Sequence, residues 1–178
     1  MTVRFLSGDV VAMPEGASIP SSHLPWCFGC GPENEQGLGV RPRIEDDLVV
    51  ADLQFAPWFQ GGPGVVHGGA SAAFFDDLMG FVPMAHLAPA VTARFEINYR
   101  RPIPLGATVR GEAWLTGREG RKLWAESAAR DPEGGAPFVE ARALYVQIGP
   151  EHYSSTFEDM PREQQDRLAG YRPDEYYP

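Results

Sequence analysis

The sequence has few cysteines, a deficit of positive charge and no apolar leader at its start. Two cysteines among 178 residues cannot build a disulfide framework, so a reducing compartment, the cytoplasm, is expected. Fifteen lysines and arginines against 24 aspartates and glutamates give a net charge of −9, which repels phosphate backbones and argues against nucleic acid as a partner. The first residues lack the basic start, the apolar run and the cleavage site of a signal peptide.

One stretch without any charged residue, Leu53 to Phe75, is long enough to span a bilayer. It contains two prolines and five glycines, and lipid cannot satisfy the irregular backbone that these residues produce. We therefore expect a loop followed by a buried helix in this stretch, and no insertion into a membrane.

The composition indicates a folded domain that is rich in turns. Hydrophobic residues make up 43% of the chain, which is enough to form a core and excludes general disorder. Twenty glycines and 17 prolines favour a β-rich fold over a helical bundle. We expect an N-terminal arm over residues 1–38, one domain over 39–150 and an acidic tail over 151–178, with a short tail helix from Arg162 to Ala169.

Hydrophobic patterning predicts one helix and several strands. In the segment from Val91 to Tyr99, strict alternation places Phe95 on one face and Thr92 on the other. Further strands are predicted at Val40 to Ile44, Leu48 to Phe55, Ala107 to Thr116, Lys122 to Arg130 and Phe138 to Ile148, with a hairpin loop from Gly117 to Gly120. A single helix from Ala70 to Met84, rich in small residues, would pack on a curved antiparallel sheet in an α+β arrangement.

The start of this helix carries the candidate site. Gly68 and Gly69 allow a ligand to approach the backbone, and the N–H groups of a helix N-terminus suit a developing oxyanion. Asp76 is predicted in mid-helix beside small residues, where burial would raise its pKa and make it a general base or nucleophile. A glycine pair alone is often a turn, and Asp77 is expected on a solvated face. The combination with His67 favours a site.

This pattern resembles a known family. His67-Gly68-Gly69 followed by Asp76 and Gly80 is similar to the signature of hotdog-fold acyl-CoA thioesterases, including the phenylacetate-associated bacterial enzymes. Residues 98–106, 119–122 and 27–38 resemble the same superfamily, and look most similar to the long-chain acyl-CoA thioesterases of animal mitochondria. The resemblance covers about residues 26–150. It implies a long helix wrapped by a curved sheet, an acyl-CoA substrate and no cofactor.

The resemblance also implies roles for individual residues. Asp76 would attack the thioester or activate water, the Gly68 N–H would polarise the carbonyl, His67 would orient the loop and Thr92 would position the nucleophile. Substrate-binding positions implied in the same way are Gln60, Gly69, Arg100, Arg101, Arg121 and Lys122, the four cations being suited to the phosphates of CoA. Ordinary surface solubility is an equal alternative for those cations.

Helix geometry indicates an oligomer. Gly69 and Asp76 are seven residues apart, which is about 10 Å of helical rise, so one chain can hardly bring both to the same thioester carbon. Two antiparallel copies of the helix can. We expect a homodimer or a dimer of dimers with shared sites.

Cys27 and Cys30 are interpreted as structural cysteines, and no metal is expected. Zinc would need two further ligands, and His23 would supply only a third. A redox motif would need a strand before it and a helix after it, whereas Gly31 and Pro32 favour a loop.

Two rival functions remain open. A hotdog hydratase or dehydratase would also act on thioesters, through a differently placed histidine and carboxylate. A non-catalytic acyl-CoA-binding sensor would usually add a DNA-binding helical module and lose the carboxylate, and this sequence shows neither that module nor a basic face.

Overall fold

The computed structural model describes residues 9–149, 152 and 160–167. Its elements, in chain order, are β1 (Arg43–Glu45), β2 (Leu48–Gln54), a 3-10 turn (Pro57–Phe59), α1 (Gly68–Ala85), β3 (Ala90–Tyr99), β4 (Thr108–Glu119), β5 (Lys122–Asp131), β6 (Gly134–Gln147) and α2 (Arg162–Arg167). Of the predicted tail helix, residues 168 and 169 lie outside the described residues. The division into arm, domain and tail stays a prediction.

The strands form one six-stranded antiparallel sheet in the order β1-β2-β4-β5-β6-β3. The chain crosses from β2 through α1 to β3, and this crossover leaves β3 at the far edge of the sheet among the described residues. The α+β arrangement of one long helix on one antiparallel sheet is therefore confirmed. No helix in the described part of the chain is long and apolar enough to cross a membrane.

Helix α1 lies against the sheet through its large apolar side chains. It begins at Gly68, two residues before the predicted start, and ends at Ala85. Phe74 and Leu78 are fully buried, and each such side chain contributes roughly 2 kcal/mol of burial free energy. A Cβ added at Gly111 of β4 would lie 2.6 Å from the Phe74 ring and 2.7 Å from Leu78. Glycine there lets the helix pack directly on the strand backbone.

Strand β3 does not alternate strictly, because its pairing with β6 shifts register between Thr92 and Arg94. Such a bulge inserts one extra residue and turns the preceding side chain toward the other face. Phe95 and Ile97 pack against the core, and Thr92 also reaches α1. The prediction that Thr92 and Phe95 lie on opposite faces is therefore wrong.

The β4–β5 hairpin is tighter than predicted. Strand β4 continues to Glu119, which pairs with Lys122, so the connection is the two-residue turn Gly120-Arg121. Gly120 has φ of +56°, a value that glycine adopts without a Cβ clash. Three residues of the predicted loop, Gly117 to Glu119, therefore belong to strand β4.

Candidate active site

His67 is the N-cap of α1 and is hydrogen-bonded on both sides of the loop-to-helix junction. Its backbone is extended, and its Nδ1 accepts a hydrogen bond of 2.9 Å from the N–H of Gly69. Its own N–H donates to Phe59 O at 2.8 Å, and its carbonyl accepts from the Ser71 N–H at 3.1 Å. The histidine therefore sets the direction in which the first turn of the helix leaves the loop.

Gly68 is the first residue of α1, and its N–H has no intrahelical partner by the geometry of a helix start. Its carbonyl accepts a hydrogen bond of 2.8 Å from the hydroxyl of Tyr99 on β3. A Cβ on Gly68 would lie 3.4 Å from the Tyr99 ring. The helix start is thus held by β3 while the Gly68 N–H keeps the positive end of the helix dipole.

The loop before His67 is held by backbone contacts on both sides. The Gly61 N–H donates to Val65 O, and Val66 donates to Ile103 O at 3.0 Å. Gln60, implied as a thioester contact, directs its Oε1 toward the N–H of Gly64 at 3.4 Å. In this conformation the Gln60 side chain bridges its own loop.

Asp76 lies on the side of α1 that faces the first residues of β3. Its Oδ1 accepts a hydrogen bond of 3.1 Å from the Thr92 hydroxyl. Asp76 and Thr92 are both exposed in the chain, so the prediction that Asp76 is buried beside small residues is wrong for the single chain. Thr92 reaches Asp76 from the position directly before the register shift in β3.

The two halves of the candidate site lie apart in one chain. Gly68 and Asp76 are eight residues apart in one helix, which corresponds to about 12 Å along the axis. Gly68 contacts the last residue of β3, whereas Asp76 contacts its third residue. A single chain therefore presents the Gly68 N–H at the helix start and the Asp76 carboxylate in mid-helix, and does not bring them together.

The four cations fall into two separated pairs. Arg100 forms an ion pair with the buried Glu140 at 2.7 Å, while Arg101 stacks over the Phe138 ring at 3.8 Å. Arg121 donates two hydrogen bonds to the carbonyl of residue 147, and Lys122 is exposed. The first pair lies beside residue 138 and the second beside residue 147, nine positions or about 30 Å along β6.

Asp77 is buried, and the prediction that it is solvated is wrong. Its side chain is 8% exposed, and its Oδ1 lies 3.2 Å from His23 Nδ1 and 3.3 Å from Cys27 Sγ. Burial alone would lower the pKa of His23, but the hydrogen bonds to Asp77 and Cys27 outweigh it and raise the pKa to about 9. The hydrogen bond with Cys30 lowers the pKa of Cys27 below its ordinary value.

Sequence reasoning missed two tyrosines near the site. Tyr99 anchors the carbonyl of Gly68, and Tyr145 is fully buried opposite Thr92 in the β3–β6 pairing. Burial raises the pKa of Tyr145 above its ordinary range, so this hydroxyl stays protonated. The only sequence signal for either is its place in an alternating strand.

Comparison with known proteins finds similarity to one protein family. The model of the thioesterase superfamily matches residues 63–136. Two relatives are the acyl-coenzyme A thioesterases THEM4 of Bos taurus, 33% identical over 125 residues (68% of this chain and 52% of the relative), and of Mus musculus, 37% identical over 121 residues (66% and 52%). The chain spans about half the length of the curated relatives it matches.

Solved structures share the fold. A thioesterase superfamily protein aligns with a TM-score of 0.65 at 26% identity, over 81% of this chain and 72% of that one. The PaaI protein of E. coli, from the phenylacetic acid degradation operon, aligns with a TM-score of 0.59 at 18% identity, over 66% and 88%. Both likenesses agree with the hotdog arrangement of one helix on a curved sheet.

Proposed function

Because the chain belongs to the thioesterase superfamily, we propose that it hydrolyses acyl-CoA thioesters to a free acid and CoA. The relatives whose names state this activity support the proposal. The observation that carries it is the 3.1 Å hydrogen bond from Thr92 to Asp76, because it orients a carboxylate on the helix whose first N–H is that of Gly68.

In the proposed reaction Asp76 acts on the thioester carbon directly or through water. As a base, it takes a proton from water, whose oxygen attacks the carbonyl carbon; the carbon–sulfur bond then breaks and the thiolate receives a proton. As a nucleophile, its oxygen bonds to the carbonyl carbon while the carbon–sulfur bond breaks and the CoA thiolate leaves and takes up a proton; water then hydrolyses the resulting mixed anhydride. In both routes the oxyanion accepts a hydrogen bond from the Gly68 N–H, which His67 keeps at the helix start.

The proposed active site is shared between two chains. Strand β3 lies at the sheet edge among the described residues, with Thr92 near one end and Tyr99 at the other. Antiparallel pairing of two copies along β3 would bring the Gly68 end of one chain opposite the Asp76 end of its partner. A homodimer, or a dimer of dimers, would therefore hold two composite sites and bury each Asp76 more deeply than the single chain does.

We propose that Arg101 and Lys122 meet the phosphates of CoA, and that Arg100 supports the loop. Arg101 and Lys122 are exposed, whereas the guanidinium of Arg100 is held by the buried Glu140. In an antiparallel pair, the Arg101 end of one chain approaches the Lys122 end of its partner, which would gather cations that one chain keeps apart. Arg121, with its bonds to residue 147, would fix the hairpin beside Lys122.

We also propose that the protein acts in the reducing cytoplasm. Cys27 and Cys30 are both free thiols. Reduced cysteines are typical of that compartment. Fractionation of the cells that express the chain would test the assignment.

A panel of short, long and aryl acyl-CoA thioesters tests the activity. Release of the CoA thiol is followed with a disulfide dye, and at least one ester should be turned over by the wild type and not by Asp76→Asn. Appearance or loss of enoyl absorbance without thiol release would identify a hydratase or dehydratase. Tight binding of CoA esters without either signal would identify a binding protein.

A further inference from the structure

A polar cluster lies on the side of α1 away from the Asp76 carboxylate. It consists of His23, Cys27 and Cys30 from the N-terminal segment and Asp77 from the middle of the helix. One ligand atom from each residue lies within 4.8 Å of the other three. Three of the separations are close: Nδ1 to Oδ1 is 3.2 Å, the Cys27 Sγ to Oδ1 is 3.3 Å and the Cys30 Sγ to Nδ1 is 3.3 Å.

These three separations are close to the edges of a zinc tetrahedron, and all four atoms lie within 4.8 Å of one another. Nitrogen, oxygen and sulfur ligands at about 2.0–2.3 Å from zinc stand about 3.3–3.8 Å from one another at its corners. Two thiolates, one imidazole and one carboxylate form a mixed donor set that suits zinc, whereas magnesium and calcium prefer oxygen ligands alone. The N-terminal segment alone offers three zinc ligands, His23, Cys27 and Cys30, and the fold adds Asp77 as the fourth.

The backbone around the cluster brings its ligands together. The Gly31 N–H donates to Cys27 O at 2.9 Å and closes the turn between the cysteines. The His23 N–H donates to the Cys30 sulfur at 3.1 Å, a contact that would stabilise a metal-bound thiolate. A Cβ at Gly29 would lie 2.1 Å from the Asp77 Cγ, so only glycine allows the turn to pack this closely against the helix.

The second carboxylate oxygen of Asp77 provides an independent observation. Asp77 is 9% exposed, and its Oδ2 is buried without a hydrogen-bond partner among the described residues. A buried carboxylate oxygen without a partner costs free energy. With a neutral imidazole, the two thiolates and the carboxylate sum to −3, and a divalent cation reduces this charge to −1.

We propose that His23, Cys27, Cys30 and Asp77 form a structural Zn²⁺ site that ties the N-terminal segment to helix α1. Four protein ligands close the coordination sphere and leave no position for substrate or water, which is the arrangement of structural sites. The proposal does not depend on the thioesterase activity. It links residues 23–30 to the helix at the position next to Asp76, so the metal restrains the part of α1 that carries the carboxylate.

Metal content and cobalt spectroscopy test the site directly. The full untagged chain is purified under reducing conditions without chelator, and elemental analysis should find one zinc per chain. Replacement by Co²⁺ should give a thiolate-to-cobalt charge-transfer band and the intense visible bands of tetrahedral cobalt. Because this spectrum is recorded on the wild type, it identifies the metal ligands even if the variants fold poorly.

Variants assign the ligands. Asp77→Asn and the double variant Cys27→Ser with Cys30→Ser should weaken zinc binding by roughly a hundredfold or more, which exceeds the typical effect of an outer-shell residue. Asp76→Asn and His152→Gln are matched controls from outside the cluster and should keep one zinc per chain. Wild-type zinc content in the double variant would overturn the assignment.

Thermal unfolding gives a readout that is separate from activity. Zinc should raise the melting temperature of the metal-free wild type, because a ligand that binds only the folded state stabilises it. The double cysteine variant should show no such rise. If the reduced wild type binds neither ion at micromolar concentrations, the zinc site is excluded.

Discussion

Asp76 and Asp77 are neighbours in α1, yet they lie in opposite environments. Asp76 is exposed beside the sheet edge and takes one hydrogen bond from Thr92, whereas Asp77 is buried against His23 and Cys27. One helical step turns a side chain by about 100°, which is enough to separate the two faces. The contrast shows that residue type alone assigns neither carboxylate a role.

The two regions also differ in how complete they are within one chain. The polar cluster brings four ligand atoms within 4.8 Å of one another from a single chain. The candidate active site leaves Gly68 and Asp76 about 12 Å apart along one helix, and its strand β3 lies at the sheet edge among the described residues. We therefore expect changes at Asp77 to affect stability first and changes at Asp76 to affect turnover first.

The largest expected effect is on turnover in Asp76→Asn. Loss of a positioned base or nucleophile should lower kcat by about two to four orders of magnitude, measured as thiol release from the best ester of the panel. Because asparagine is nearly isosteric, the variant should stay folded and still bind CoA esters. Turnover close to wild type in this variant would exclude Asp76 from the reaction.

Mixing two inactive variants tests the shared site. Asp76→Asn chains and Gly68→Val chains are each expected to be inactive, but a mixed dimer contains one intact site and should recover part of the activity. Subunit exchange is verified with differently tagged chains, and each variant alone is the control. Exchange without recovery would mean that each chain holds its own complete site.

Thr92→Val removes the hydroxyl that holds Asp76. We expect kcat to fall about tenfold, the worth of one hydrogen bond to a charged group, while the KM changes less. Thr108→Val, at an exposed threonine of β4, is the matched control, and Thr92→Ser should restore most of the rate. An unchanged kcat in Thr92→Val would show that the bulge of β3 has no role in positioning the carboxylate.

Asp77→Asn should act on stability. In metal-free buffer it removes the carboxylate that pairs with His23 in a buried setting, and the melting temperature should fall by about 3–10 °C. The neighbouring Asp76→Asn should shift it by less than about 2 °C. Melting temperatures are measured by circular dichroism. Equal shifts in the two variants would show that the buried and the exposed aspartate contribute alike to stability.

Much of the fold is predictable because it depends on local pattern. Alternation predicts the strand from Val91 to Tyr99, and the run of small and apolar residues predicts the helix to within two residues. The bulge next to Ala93 is not predictable in this way, since it depends on how β3 fits against β6. A one-residue shift in that pairing turns Thr92 from one face of the strand to the other.

The candidate site was predictable where one short segment carries it. His67, Gly68 and Gly69 are adjacent, and the structure places them at a helix start with His67 as the cap. The family resemblance and its positive charge predict that Arg100 binds phosphate, whereas in the structure it forms an ion pair with Glu140, on a different strand. Arg100 and Glu140 are 40 residues apart in the sequence, and a contact between such distant residues has no local sequence pattern that predicts it.

The sequence by itself determined the class of the fold, the position of the long helix and the residues of its N-terminus, because periodicity, small residues and capping act within a few positions. Only the tertiary structure decided which of two adjacent aspartates is buried, which face Thr92 occupies and that Asp77 joins His23, Cys27 and Cys30. These outcomes depend on where the N-terminal segment packs on α1 and how β3 aligns with β6. In both cases segments distant in sequence pack closely against each other and supply the hydrogen-bond partners of buried polar groups.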